Sequence, residues 1–274
     1  MTEIRSILLH LDATRGSAVR LALAQALADR HGAELTVLFG IRPEADQVAF
    51  AYSAGAALHA MEARDGSVDL RRHRLRNLSC ERDPDRIWCD AVGESLVHGF
   101  VAEAAYADLL VLGQPATVDE GGAPPPGFVE SVILQSGTPA FVVPQAQRKE
   151  TIGDCVLVAW NGSPQAARAL KAAVPMLERA SQVHVATWAR QPSAAPYSGL
   201  GVHGFLKRHG IASRVHRRNP TPHVADELRS LAAELGADMI VMGCYGNSRL
   251  RERVFGGVTR GLLTSLPAPV LMAH

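Results

Sequence analysis

Short apolar runs alternate with longer amphipathic stretches over most of the chain. In the second half, Val156 to Trp160 is a continuous apolar run and predicts a buried strand. Ser163-Pro164 follows as a helix cap with a proline at the first helical position. Ala166 to Arg179 then carries helix formers with apolar residues at helical spacing. Gln182 to Trp188 predicts a second strand, Gly201 to Arg208 a helix, Ser213 to Arg217 an extended segment, and His223 to Leu235 a helix after Pro222. Met239 to Met242, Val258 to Ser265 and Val270 to Ala273 complete the series as strand, helix and strand. The first half follows the same order, with a longer charged middle from Ala56 to Arg76.

The two halves are copies of one plan. Ala107-Asp108-Leu109-Leu110-Val111-Leu112-Gly113 matches Ala237-Asp238-Met239-Ile240-Val241-Met242-Gly243 at an offset of 130, and Thr138 to Val143 matches Ala268 to Ala273 at the same offset. Each half also starts alike: Ile7 to Asp12 and Val156 to Asn161 are apolar strands ending in a small polar residue. The polar stretch Gln145 to Gly153, with Arg148, Lys149 and Glu150, reads as the linker. The expected fold is therefore α/β, with two tandem doubly wound parallel-sheet domains at 1–146 and 147–274. In such sheets ligands bind beyond the carboxyl ends of the strands, which places Asn161 and Gly243 at one crevice.

Composition narrows the function classes. The chain has 274 residues, 47% apolar and 20% charged, with a net charge of +1. That balance suits a well-cored globular protein and argues against a general binder of nucleic acid or membrane surfaces. No window approaches 18 apolar residues and the N-terminus lacks a signal-peptide pattern, so a cytoplasmic location is expected. Cys80, Cys89, Cys155 and Cys244 lack metal-ligand spacing and read as reduced thiols. Cys244 lies in a glycine loop, where a nearby helix N-terminus could lower its pKa; a small residue in a loop explains it equally well.

That loop is the centre of the functional reading. Gly243-Cys244-Tyr245-Gly246 is followed, nine residues on, by Gly256-Gly257-Val258-Thr259, between a buried strand and a helix start. Glycines allow close approach, and a helix opening after them offers free N–H groups to an anion. The strand ending in Asp or Asn, the late Gly-x-x-Gly-x9-Gly loop and the closing Pro-Val-Leu strand together resemble the universal stress protein family. The resemblance covers nearly the whole chain as a tandem pair. It implies Rossmann-like domains of the adenine nucleotide alpha hydrolase-like kind that bind ATP, with or without Mg2+, or another adenine nucleotide. It also implies a homodimer, an unidentified protein partner, and a role in stress response or signalling. On this likeness Asn161 faces adenine or ribose, Trp188 borders the base, and Met242 and Gly243 pass under the ribose. Gly246 and Asn247 open the phosphate loop; Gly256, Gly257, Val258 and Thr259 offer N–H groups, and Thr259 a hydroxyl. The edge strands Ala140 to Val143 and Val270 to Ala273 are expected to pair the domains as the family pairs subunits.

Two departures stand out. The family has Ser or Thr where this chain has Gly257, which loses a hydroxyl that Thr259 is expected to replace, and Asn161 replaces the usual Asp. The first half departs further: Ala116 stands at the place of Gly246, and Pro126, without an N–H, at the place of Gly256. The first half is therefore expected not to bind nucleotide, with Asp12 left as a relic or a strand-end cap. Arg249, Arg251 and Arg253 punctuate the second loop and could cover phosphates or simply be solvated; Arg260 follows in the next helix. The eleven histidines show no metal-ligand spacing. Nucleophile-elbow and Walker motifs are absent, so no catalytic residue is assigned and slow ATP hydrolysis is the most that is expected.

Overall fold

A computed structural model describes residues 3–40, 70–79, 88–90, 96–115, 122–149, 152–188, 201–246 and 257–274. The first half runs β1 (Ser6–Leu11), α1 (Ser17–His31), β2 (Glu34–Phe39), a helical stretch over 70–79 (α2), β3 (Trp88–Asp90), α3 (Leu96–Ala104), β4 (Leu109–Gly113), α4 (Phe128–Ser136) and β5 (Ala140–Val143). The second half repeats it as β6 (Cys155–Ala159), α5 (Pro164–Leu177), β7 (Gln182–Thr187), α6 (Val202–Arg208), β8 (Arg214–Arg217), α7 (Val224–Leu235), β9 (Met239–Gly243), α8 (Gly257–Thr264) and β10 (Val270–Ala273).

Within each half every strand pairing is parallel, and the halves join in one ten-stranded sheet of order β3-β2-β1-β4-β5-β10-β9-β6-β7-β8. The join is the antiparallel pair β5–β10, with Phe141 opposite Leu271, Ala140 opposite Met272 and Val142 opposite Val270. Phe141 and Leu271 hold the same place in the two copies, and the flanking pairs exchange places, which is the mark of an isologous contact about a local two-fold axis.

Continuous apolar runs suit strands covered on both faces. One core cluster packs Leu21, Ala24 and Leu27 of α1, and Ala169, Leu170 and Leu177 of α5, on one face of the sheet. The other packs Phe100 of α3, Phe128 and Val132 of α4, Leu228 and Leu231 of α7, and Leu262 and Leu263 of α8. Both clusters run through both halves. In each half the strand order reverses beside the first strand, between β1 and β4 and between β6 and β9, so a crevice opens beyond their carboxyl ends. No helix among the described residues is long and apolar enough to cross a membrane.

Candidate functional site

In the second half the crevice is walled by the turn after β6, the segment after β9 and the start of α5. Asn161 is exposed there, and its Oδ1 accepts the N–H of Ser163 at 3.0 Å. That oxygen closes its own turn with one of its two lone pairs, which leaves the side-chain NH2 and the other lone pair for a ligand. Ser163 caps α5, its Oγ accepting the N–H of Ala166 at 3.1 Å, with Pro164 next, as the sequence predicts. Trp188, just past β7, is half-buried, and its indole N–H donates to Glu227 Oε2 at 2.6 Å.

The glycines after β9 serve a packing need. A Cβ on Gly243 would come within 2.3 Å of the Ala166 nitrogen, and one on Gly246 within 3.0 Å of Gln165 Oε1 and 3.5 Å of Ser163 Oγ. The space under these residues is thus filled by the first turn of α5 rather than held open. Tyr245 between them has φ 51, a left-handed conformation that costs a non-glycine residue about 1 kcal/mol. Cys244 N–H bonds to Ala273 O at 3.0 Å and fixes the exit from β9. Met242 is buried in the core, so only its backbone is available to a ligand. Cys244 is 1% exposed and burial pushes its thiol up to about 12, which favours the plain reading of a small loop residue over a lowered pKa: apolar surroundings outweigh any nearby helix terminus.

Gly257 opens α8 exposed, with none of the described residues within 4 Å of the place a Cβ would take. The first turn of a helix carries unbonded N–H groups, and here they belong to Gly257, half-buried Val258 and Thr259. Thr259 is only 6% exposed and lies on the inner side of α8 with Leu262 and Leu263, so its hydroxyl offers a ligand little surface. Arg260 is exposed. Asn247, Gly256, Arg249, Arg251 and Arg253 lie outside the described residues, as does Ala116 of the first half.

The corresponding crevice of the first half is filled. Asp12, 3% exposed, pairs through Oδ2 with Arg20 Nη2 at 2.8 Å. Its Oδ1 accepts the Thr14 N–H at 2.9 Å, the Thr14 hydroxyl, and the Ser17 hydroxyl at 2.6 Å. Arg20 also donates from Nε to His10 O at 3.0 Å and from Nη2 to Ser17 Oγ at 2.9 Å. A Cβ on Gly113 would fall 1.8 Å from Arg20 Nη1, so this glycine is needed to admit the guanidinium. Burial alone would raise the Asp12 pKa, but the Arg20 charge, His10 and the two hydroxyls outweigh it and hold the carboxyl at about 2. Over the same strand end, Gly122 O accepts the Ala13 N–H at 2.9 Å. Asp12 is thus a strand-end cap and also half of a buried ion pair, which the sequence reading missed.

Residues 154–274 match the profile of the Universal stress protein family. This part of the chain is a universal stress protein domain. In three dimensions the chain is similar to a universal stress protein from Archaeoglobus fulgidus DSM 4304, at 17% identity and a TM-score of 0.66, over 98% of this chain and 95% of that one. It is also similar to a functionally unknown protein from Pseudomonas aeruginosa PAO1, at 16% identity and a TM-score of 0.61, over 98% and 92% of the two chains. At these identities the likeness is one of fold, and it extends over both halves. No curated protein matches the chain by sequence.

Within the universal stress protein domain two residues at the crevice were not anticipated. Glu227 stands in the first turn of α7, where an acidic residue is ordinary, so nothing in the sequence ties it to Trp188. Gln165 follows a capping Ser-Pro and looks like plain helix; its Oε1 is buried without a partner among the described residues, beside Gly246.

Proposed function

We propose that this chain is a tandem universal stress protein, with domains at 1–146 and 147–274, that binds ATP or a related adenine nucleotide at one site in its second half. In this reading Asn161 and Trp188 face the base and ribose, the backbone of Met242, Gly243 and Gly246 runs beneath, and the N–H groups at Gly257, Val258 and Thr259 receive phosphate. Asn247 and Gly256 complete the loop by the family likeness. The observation that carries the reading is the contrast between the two crevices. The first is plugged by Asp12 and Arg20, whereas at the equivalent places the second has Asn161 and Ala169, without that ion pair, beside a first turn of α8 that no described residue crowds at Gly257. Nucleotide binding would shift a conformational or assembly equilibrium that a protein partner reads in a stress or signalling response in the cytoplasm, with any hydrolysis slow.

Titration calorimetry with ATP tests this. One site per chain is expected in the wild type. Gly257→Pro keeps a residue tolerated at the start of a helix but removes one N–H donor. A hydrogen bond to a charged group contributes about 1.5–3 kcal/mol, so affinity should fall roughly ten- to a hundredfold. Absence of ATP binding to the wild type would refute the proposal.

A second reading rests on Gly257 and buried Thr259, which together leave no exposed hydroxyl among the described phosphate-loop residues. On that reading the chain is a scaffold of the same fold that has lost nucleotide binding. An unchanged melting temperature with ATP and Mg2+ would favour it.

A further inference from the structure

Three elements converge on the first-half crevice, and Arg20 touches all of them. It springs from α1, bonds to the His10 carbonyl in β1 and to Asp12 just beyond, and lies against Gly113 at the end of β4. Its carboxylate partner is organised for a cation, with one oxygen held by Thr14 and Ser17 and the other turned to the guanidinium. Both residues are buried, Asp12 at 3% and Arg20 at 4% exposure, so the pair fills the crevice rather than lying across its mouth. In the second half the residues at the places of Asp12 and Arg20 are Asn161 and Ala169, so both charges are absent together. Gly113 and Gly243 therefore match in sequence for different reasons: one admits an arginine side chain, the other admits the backbone of a helix.

We propose that the first half is self-liganded: the Arg20 guanidinium is the permanent occupant of its crevice and clamps α1, β1 and β4 in one arrangement whatever small anion is present. The site formed by Asp12, Ser17 and the His10 carbonyl is then a guanidinium-binding site. Any ligand response of the chain is confined to the second half. This inference does not depend on what the second half binds.

Hydrogen exchange and thermal melting of the full chain test it, with Arg20→Ala and Gly113→Ala as the variants. Arg20→Ala leaves Asp12 buried without its cation, and Gly113→Ala evicts the guanidinium. Each should lower the melting temperature by about 10 °C and deprotect the amides of β1, the start of α1 and β4. Guanidinium chloride, far below its unfolding range, should restore protection in Arg20→Ala relative to an equal concentration of sodium chloride. It should not do so in Gly113→Ala, where the added methyl occupies the space. ATP should leave these amides unchanged in the wild type and in both variants. Unaltered protection in both variants would overturn the proposal, as would restoration of Arg20→Ala by ATP or by sodium chloride as effectively as by guanidinium. Should Arg20→Ala fail to fold, Arg20→Lys carries the test: partial protection, improved by guanidinium, is expected, and wild-type protection would count against the proposal.

Discussion

His10 lies inside β1 with its ring against Phe100 and Phe128, and its Nε2 donates to Gly40 O at 2.8 Å. Burial pushes its pKa down to about 4, against the pull of Asp12 and with help from Arg20. In the unfolded chain His10 takes up a proton near its ordinary 6.5, whereas in the folded chain it stays neutral until about pH 4. The unfolded state therefore binds more protons between those limits, and stability falls as pH drops through them, by about 3 kcal/mol in all. Asp12 extends the loss: its carboxyl is held at about 2 against an ordinary 3.8, so its stabilisation is complete above 3.8 and disappears as pH falls toward 2. The midpoint of urea unfolding should decrease from pH 6.5 to pH 4 in the wild type, and less steeply in His10→Gln. Some slope will remain, because burial also lowers the pKa of His31 and His184. A His10→Gln profile parallel to wild type would show that His10 is not the group responsible.

Among the elements, α8 carries the most consequence, because its start belongs to the candidate site and its end is held by the other half of the chain. Gln114, directly after β4, donates from Nε2 to Leu263 O and Thr264 O at 3.0 Å each, and its Oε1 accepts the Gln145 N–H at 3.2 Å. Those carbonyls are among the unbonded acceptors at a helix end, so Gln114 acts as a cap supplied from 149 and 150 residues away. Gln114→Ala should destabilise the chain by about 1–2 kcal/mol in urea unfolding and speed amide exchange in the last turn of α8; unchanged exchange there would rule the cap out. No sequence pattern discloses such a contact. The strands of the second half were legible nearly to the residue, since Val270 to Ala273 is β10 and Met239 to Met242 lies within β9, and each is an uninterrupted apolar run bounded by a proline, a glycine or a polar residue. The cap at Ser163 was equally legible, because its partners are local. The Asp12–Arg20 pair was not, although only eight residues separate the two, because an arginine in an amphipathic helix gives no sign of turning inward. Gly243 and Gly246 were read as room for a ligand, whereas the group that lies closest to them is helix α5, and only the fold could show that.

At the scale of the whole molecule, the sheet and both core clusters pass through the β5–β10 junction without a break. Further ties cross it: Arg30 Nη1 donates to Ile152 O, and Arg179 Nη1 to Arg30 O, at 2.6 Å each. The two halves should therefore unfold together. Differential scanning calorimetry should give one transition with equal calorimetric and van't Hoff enthalpies, and Arg20→Ala should move that whole transition; two resolved transitions would contradict this. The self-equivalent pairing of β5 with β10 has a consequence for how the protein can be inherited and diluted. Two separate chains meeting through that edge would need to find each other, and their contact would weaken as they became scarce. Tethered on one chain, the two strands meet at an effective concentration set by the linker, independent of how many molecules a cell contains. An identical pair of subunits must also accept every substitution twice, once on each side of the axis. A fused pair accepts it once, which is the freedom that lets the first half keep Arg20 and Asp12 as a buried pair while the second carries Ala169 and Asn161 at those places.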